Sequence, residues 1–245
     1  MNYKLVIPAR YDSQRLPGKP LKLIHGRTMI ERVIDKALAS NASEVIVATD
    51  DERIAKAVKD SGVKCFMTSK DHQNGTERIT EVALKQGWDA ETLVVNLQGD
   101  EPLMVPALLD QVAGLLDSDP AAAMATLCLP FHDQENLANP NVVKVVFNKQ
   151  QYAQYFSRAP IPFPRDTKKF LAYRHLGLYA YRVKTLKKLI TLRPTEHEQT
   201  EKLEQLRALD NGLLIKIATA NGVPGHGVDT EEDLKKVTEF LNSSE

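Results

Sequence analysis

The chain has 245 residues, 42% of them apolar and 26% charged, which is ordinary for a soluble domain that buries a core without disulfide or metal staples. Its 32 Lys and Arg balance its 32 Asp and Glu, which excludes a polybasic nucleic-acid binder whose affinity rests on surplus cations. No apolar run approaches the roughly 20 residues of a membrane span, and no basic-then-apolar leader is present, so the expectation is a cytoplasmic protein with neither membrane nor nucleic acid as partner.

In chain order, Tyr3–Pro8 reads as a short apolar strand followed by a polar loop rich in Arg, Pro and Gly. A helix is predicted from about Thr28: Thr28 and Glu31 have capping-box spacing, and Met29, Ile30, Val33, Ile34, Ala37 and Leu38 form an apolar stripe. Glu44–Ala48 reads as a strand, Asp51–Asp60 as a helix stopped by Gly62, Val63–Met67 as a strand, and Thr76–Gln86 as a helix for which Thr76 is a candidate cap. Thr92–Leu97 is a fourth strand and Pro106–Leu116 a further helix. Strands separated by amphipathic helices imply βαβ units and a mainly parallel α/β sheet, which binds ligands beyond the carboxyl ends of its strands.

The second half is less regular. Met124–Leu129, Val142–Phe147, Leu176–Tyr181 and Leu213–Thr219 read as strands, and Val183–Leu192, Glu198–Leu209 and Thr230–Leu241 as helices. Ser157–Tyr173, with Pro160, Pro162 and Pro164, reads as an extended arm or lid. The expected organisation is one domain over residues 1–245 with an inserted smaller part at about 130–215. Cys65 and Cys128 lie in apolar, strand-like runs with no disulfide or zinc spacing, and are read as buried reduced thiols.

The loop after the first strand, IPARYDSQRLPGKPL (Ile7–Leu21), gathers Arg10, Arg15 and Lys19. Three cations in one loop of a neutral chain fit a polyphosphate, for which Arg supplies forked donors and Lys a compact charge; a solvated basic loop is the alternative. The loop is neither a Walker loop, since Gly18-Lys19 is followed by Pro20, nor a G-x-G-x-x-G fingerprint. No HExxH, Cys/His cluster or G-x-S-x-G elbow occurs, which argues against zinc chemistry and the α/β-hydrolase class.

This segment resembles the signature loop of the sugar-activating nucleotidyltransferases, most closely the 3-deoxy-manno-octulosonate (Kdo) cytidylyltransferases. The resemblance continues through VIVATDDERI, DHQNGTER, VNLQGDEP, NPNVVKVV, YFSRAPIP, RHLGLYAYR, LEQLRALDNG and VPGHGVDTEEDL. It implies a Rossmann-like nucleotidyltransferase fold with an inserted sugar-binding and dimerisation part. The implied reaction is attack of the sugar's anomeric hydroxyl on the α-phosphorus of CTP, giving CMP-sugar and pyrophosphate for lipopolysaccharide biosynthesis. A homodimer and a magnesium cofactor are implied with it.

By that resemblance Arg10, Arg15 and Lys19 bind the triphosphate, with Lys19, Arg10 and Asp100 as the catalytic set. Asn74, Gly75 and Arg78 would contact the base or ribose, and Asp100 and Asp229 the magnesium. Gln98, Arg158, His175, Tyr181, Glu204 and Gln205 would form the sugar site. Local readings remain open beside these: Asp100 as a turn residue, Asp229 as a helix cap, His175 as a structural histidine, and Glu204 and Gln205 on a solvated helix face. Two stretches depart from the family pattern. Residues 167–173 are short, and in RPTEHEQTEKLEQLR Glu196 and His197 replace the usual Pro-Leu. The added acidic residues raise the 8-amino-8-deoxy analogue of Kdo as a substrate. A nonulosonic-type acidic sugar, or a non-catalytic nucleotide-binding homologue, are the other readings.

Overall fold

In the computed structural model, which describes residues 1–13, 15–166 and 170–243, the first apolar run forms strand β1 (Tyr3–Ala9). Its side chains alternate between faces: Leu5 and Ile7 enter one core and Val6 another. A 3₁₀ turn at Lys19–Leu21 and a small hairpin, β2 (Leu23–Ile24) with β3 (Arg27–Thr28), lead to helix α1 (Met29–Leu38). The expected capping box forms, Thr28 accepting from the Glu31 amide while the Glu31 carboxylate accepts from the Thr28 amide at 2.8 Å. The predicted alternation follows as β4 (Glu44–Thr49), α2 (Glu52–Val58), β5 (Lys64–Met67), α3 (Gly75–Lys85), β6 (Leu93–Asn96) and α4 (Pro106–Asp117). The second half contributes β7 (Met124–Phe131), α5 (Gln134–Ala138), β8 (Lys144–Phe147), β9 (Ala153–Ser157), β10 (Ala172–Arg182), α6 (Val183–Leu189), α7 (Glu196–Glu201), α8 (Gln205–Asp210), β11 (Ile215–Thr219) and α9 (Glu231–Asn242).

Among the described residues nine strands share one sheet, whose main path is β11-β7-β10-β6-β1-β4-β5, with β8 pairing β10 and β9 at its margin. β5, β4, β1 and β6 are mutually parallel, as are β7 and β11, while β10 runs antiparallel between β6 and β7. The mainly parallel α/β sheet is therefore present, with β10 reversed on its main path and β9 reversed at its margin. On one face Ile30 and Val33 of α1, Ile54 of α2 and Leu108 and Val112 of α4 pack against Leu5, Ile7 and Val47. On the other, Ile79 and Val82 of α3, Leu186 of α6 and Leu206 of α8 pack against Val6, Ile46 and Val94. No helix among the described residues is long and apolar enough to cross a membrane.

The structure departs from the sequence reading in the second half. The single helix expected at Glu198–Leu209 is two: Lys202 adopts a left-handed φ of 54° and ends α7, and α8 begins at Gln205. The break lets Leu203 and Leu206 both enter the core while Glu198 pairs with Arg207 across it at 2.5 Å. Strand β9, unforeseen in YAQYFS, pairs antiparallel with β8. β10 reaches back to Ala172, into the expected arm. Between Ser157 and Ala172 the described residues form neither strand nor helix, and residues 167–169 of that arm lie outside the described residues. Both cysteines are free thiols; Cys128 is buried and Cys65 partly so.

Candidate active site at the strand ends

The parallel strands β1, β5 and β6 end on the same side, and the segments that follow Ala9, Met67 and Asn96 meet there. A cavity of about 880 Å³ opens among them, lined by Arg10, Arg15, Lys19, Asn74, Gly75, Arg78, Gln98, Asp100 and Asp229. Gly99 makes the approach of two of these segments possible: a Cβ there would sit 3.0 Å from the Pro8 carbonyl oxygen. The Val228 amide donates to the Asp100 carbonyl at 2.9 Å, tying the distant segment before α9 to the end of β6.

That tie brings both aspartates onto one lysine. Lys19 Nζ lies 2.6 Å from Asp100 Oδ2 and 3.1 Å from Asp229 Oδ1, and Arg15 Nη2 is 3.0 Å from the same Asp229 oxygen. Lys19 is the more sheltered of these two cations, 13% exposed against 67% for Arg15. The helix-cap reading of Asp229-Thr230 holds for Thr230, which caps α9 through its own hydroxyl and Asp233, and leaves the Asp229 carboxylate to Lys19 and Arg15. Glu101 is a third carboxyl here that sequence reasoning passed over. Its pKa is pushed up to about 8, first by burial and then by the neighbouring charges of Asp100 and Asp229, against the pull of Lys19.

Asn74 caps α3, its side chain accepting from the Glu77 amide at 2.9 Å, so Asn74 rather than Thr76 is the cap. Gly75 passes close to Pro8. The Arg78 guanidinium is buried, bonded to Asp50 at 2.8 Å and to the Thr68 hydroxyl, so it reaches the cavity as the wall of a fixed network.

A smaller cavity of about 130 Å³ adjoins the first through Gly75 and Gln98, and brings together Tyr181, Glu204 and Gln205 as expected for one site. Burial holds the Glu204 carboxyl above the usual carboxylate range, with a Thr76 hydrogen bond and Arg207 opposing; it is no solvated helix face. Two unanticipated residues share this wall. Asn96 Oδ1 and Tyr179 Oη are buried without a hydrogen-bond partner, and the two residues are register partners across β6 and β10. Buried polar atoms without partners are costly, and a polar ligand in this cavity would satisfy them. The sequence carried a signal for Asn96, a lone amide within the apolar run TLVVNL.

Two expected sugar-site residues line neither cavity. Arg158 is spent on neighbouring backbone, its Nε donating to the Glu201 carbonyl at 2.7 Å and its Nη1 to the Pro140 carbonyl at 2.9 Å. His175 Nε2 lies 2.9 Å from the Thr126 hydroxyl, with its ring set against Phe156 and Tyr179. Glu196 and His197, which raised the amino-sugar reading, are exposed on α7 away from both cavities, and His197 pairs with Asp210 at 2.9 Å.

Comparison with known proteins gives a consistent result. The cytidylyltransferase family profile matches residues 5–217. A 3-deoxy-manno-octulosonate cytidylyltransferase of Thioalkalivibrio sulfidiphilus is 48% identical over 99% of this chain and its own full length. One of Marinobacter nauticus is 49% identical over 98% of this chain and 97% of its own. A solved structure described as CMP:2-keto-3-deoxy-manno-octonic acid synthetase complexed with CTP superposes with a TM-score of 0.93 at 42% identity, covering 100% of this chain and 99% of that one.

The enclosure of His175 has a measurable consequence. Burial lowers its pKa from the usual 6.5 to about 3, so between those values the unfolded chain takes up a proton that the folded chain refuses. Stability therefore falls as pH drops through that window, by up to about 1.4 kcal/mol per unit. Urea midpoints recorded from pH 6.5 to 4 will fall less steeply for His175→Gln than for the unsubstituted protein; equal slopes would mean that the ring protonates freely in the fold.

Proposed function

The chain belongs to the cytidylyltransferase family, and from that premise we propose that it joins the CMP group of CTP to 3-deoxy-manno-octulosonate, releasing pyrophosphate and supplying an activated sugar for lipopolysaccharide assembly. The observation that carries this reading is the meeting of Lys19, Arg15, Asp100 and Asp229 in a cavity of about 880 Å³, within the size range of small-molecule sites. The smaller polar cavity that continues from it supplies room for the acceptor.

In this reading Arg10 and Arg15 grip the outer phosphates with forked donors. Lys19, more sheltered than Arg15, neutralises the charge that grows on the α-phosphate and the departing pyrophosphate as the sugar's anomeric hydroxyl attacks. No covalent enzyme intermediate is involved, so rate enhancement comes from positioning and fixed charge. Asp100 and Asp229 fit magnesium by their hard carboxylate oxygens, converging on one point already held by a cation. Among the described residues no group of three or more His, Cys, Asp or Glu gathers as a metal cage, so phosphate and water would complete the shell. The ion would polarise phosphoryl oxygens. Gln98, on the wall common to both cavities, orients the acceptor, and Tyr181, Glu204 and Gln205 take its hydroxyls. The buried Glu204 carboxyl also suits a terminal ammonium, which keeps the 8-amino-8-deoxy analogue as a second reading. The arm between β9 and β10 leaves Phe163 76% exposed, and we assign that apolar tip to a homodimer contact.

Three measurements test these assignments. A coupled pyrophosphate-release assay with CTP, magnesium and a panel of sugar acids will give the highest kcat/KM for Kdo, with other nucleoside triphosphates inactive. A preference for the amine would install the second reading, and release only with a nonulosonic acid would overturn both. Lys19→Ala will lower kcat by roughly 10²–10³; an intact kcat with only KM raised would remove Lys19 from the transition state. Sedimentation will show a dimer that Phe163→Glu weakens, whereas a monomer at assay concentrations would exclude the contact.

A further inference from the structure

The cations of the Arg10–Lys19 loop are useful only if the loop holds its shape, and the structure shows what holds it. The Gly18 amide donates to the Tyr11 carbonyl at 3.1 Å, closing the segment into a ring. Gly18 takes a φ of 67° with the Tyr11 phenol packed directly against it; a Cβ at Gly18 would meet Tyr11 Cζ and Oη at 3.2 Å. The Arg53 guanidinium lies over the Tyr11 ring, 3.3 Å from its centroid. Arg53 is itself held by a fork to Asp51, with Nε 2.9 Å from Oδ1 and Nη2 2.6 Å from Oδ2. Asp51 in turn caps α2, accepting from the Arg53 amide at 2.9 Å. A continuous chain of contacts thus runs from the first turn of α2 through Arg53 and Tyr11 to Gly18, the residue before Lys19. Neither Tyr11 nor Arg53 lines the nucleotide cavity.

We propose that Arg53 is a positioning residue for the transfer reaction: stacked on Tyr11 and anchored by Asp51, it clamps the phosphate-binding loop so that Lys19 and Arg15 are set before CTP arrives. The planar guanidinium suits the task, since it stacks on an aromatic face while keeping both bonds of its fork. Side-chain burial alone gives no reason for the arrangement, because Arg53 is 58% exposed and ion pairs at such sites add little to stability. This inference rests on the cytidylyltransferase reading, and it explains why the TDDERI segment carries a charged pair beside the loop.

The test is a double-mutant cycle with Arg53→Ala, Tyr11→Leu and the pair, read by titration of CTP binding and by separate KM values for CTP and sugar. Arg53→Ala will weaken CTP binding about tenfold and lower kcat, leave the sugar KM within about twofold, and leave the melting temperature nearly unchanged, as expected for an exposed side chain. Arg53→Lys will recover only part of the loss, keeping the charge without the fork. The double variant will be no worse than Tyr11→Leu alone, because the two residues act through one contact. Unaltered CTP binding in Arg53→Ala overturns the proposal, and so do losses that multiply in the double variant, which would place Arg53 on the nucleotide directly. A parent protein that binds CTP but transfers to no sugar would defeat the functional reading and leave the clamp to be decided by the binding titrations.

Discussion

The contact on which the site depends is the ammonium of Lys19 set between the carboxylates of Asp100 and Asp229. Those residues are separated from Lys19 by 81 and 210 positions, so the contact exists only when the sheet, the β6 end and the segment leading to α9 are all in place. Pairing sheltered charges is worthwhile to a fold only when the geometry is good and the hydrogen bonds are made. Here it is reinforced by the backbone bond from Val228 to Asp100 and by the close passage of Gly99 against Pro8. The same arrangement sets the cations of the loop against an acidic pair inside the larger cavity.

The reversed strand β10 gives the two cavities different walls. The segments after the parallel strands β1, β5 and β6 surround the larger one. β10, inserted antiparallel beside β6, sets Tyr179 opposite Asn96 and Tyr181 opposite Val94, and so builds an aromatic and polar wall where a purely parallel sheet would have placed another strand–loop–helix unit. α8 closes that wall with Gln205, Arg207 and Ala208, and Glu204 stands just ahead of it. The left-handed turn at Lys202 is what directs Glu204 and Gln205 inward instead of continuing α7 along the surface.

Much of the first half was legible because its signals are local. The apolar runs of β1, β4 and β6, the stripe of α1 and the Thr28–Glu31 box each follow from a few neighbouring residues. The charged loop was legible by chemistry, and the meeting of Asp100 with Asp229 by resemblance to a family rather than by any spacing. What was missed depends on distant partners. β9 is stabilised by pairing with β8, which the sequence YAQYFS does not announce. The break at Lys202 is imposed by two leucines that both need the core. Arg158 and His175 carry side chains suited to a sugar acid, yet their nearest groups are Glu201 and Pro140 for one, and Thr126 and Phe156 for the other. Asn96 stands out in the sequence only as a lone amide in TLVVNL, and Tyr179 joins it only through the pairing of β10 with β6.

A crystal of the protein grown with CTP and manganese, read by anomalous scattering at the manganese edge, would show where the ion and the triphosphate sit. A metal peak is expected between the Asp100 and Asp229 carboxylates, with the triphosphate laid along Arg10, Arg15 and Lys19. A metal bound elsewhere, or a triphosphate lying outside the cavity beside Lys19, would contradict that placement.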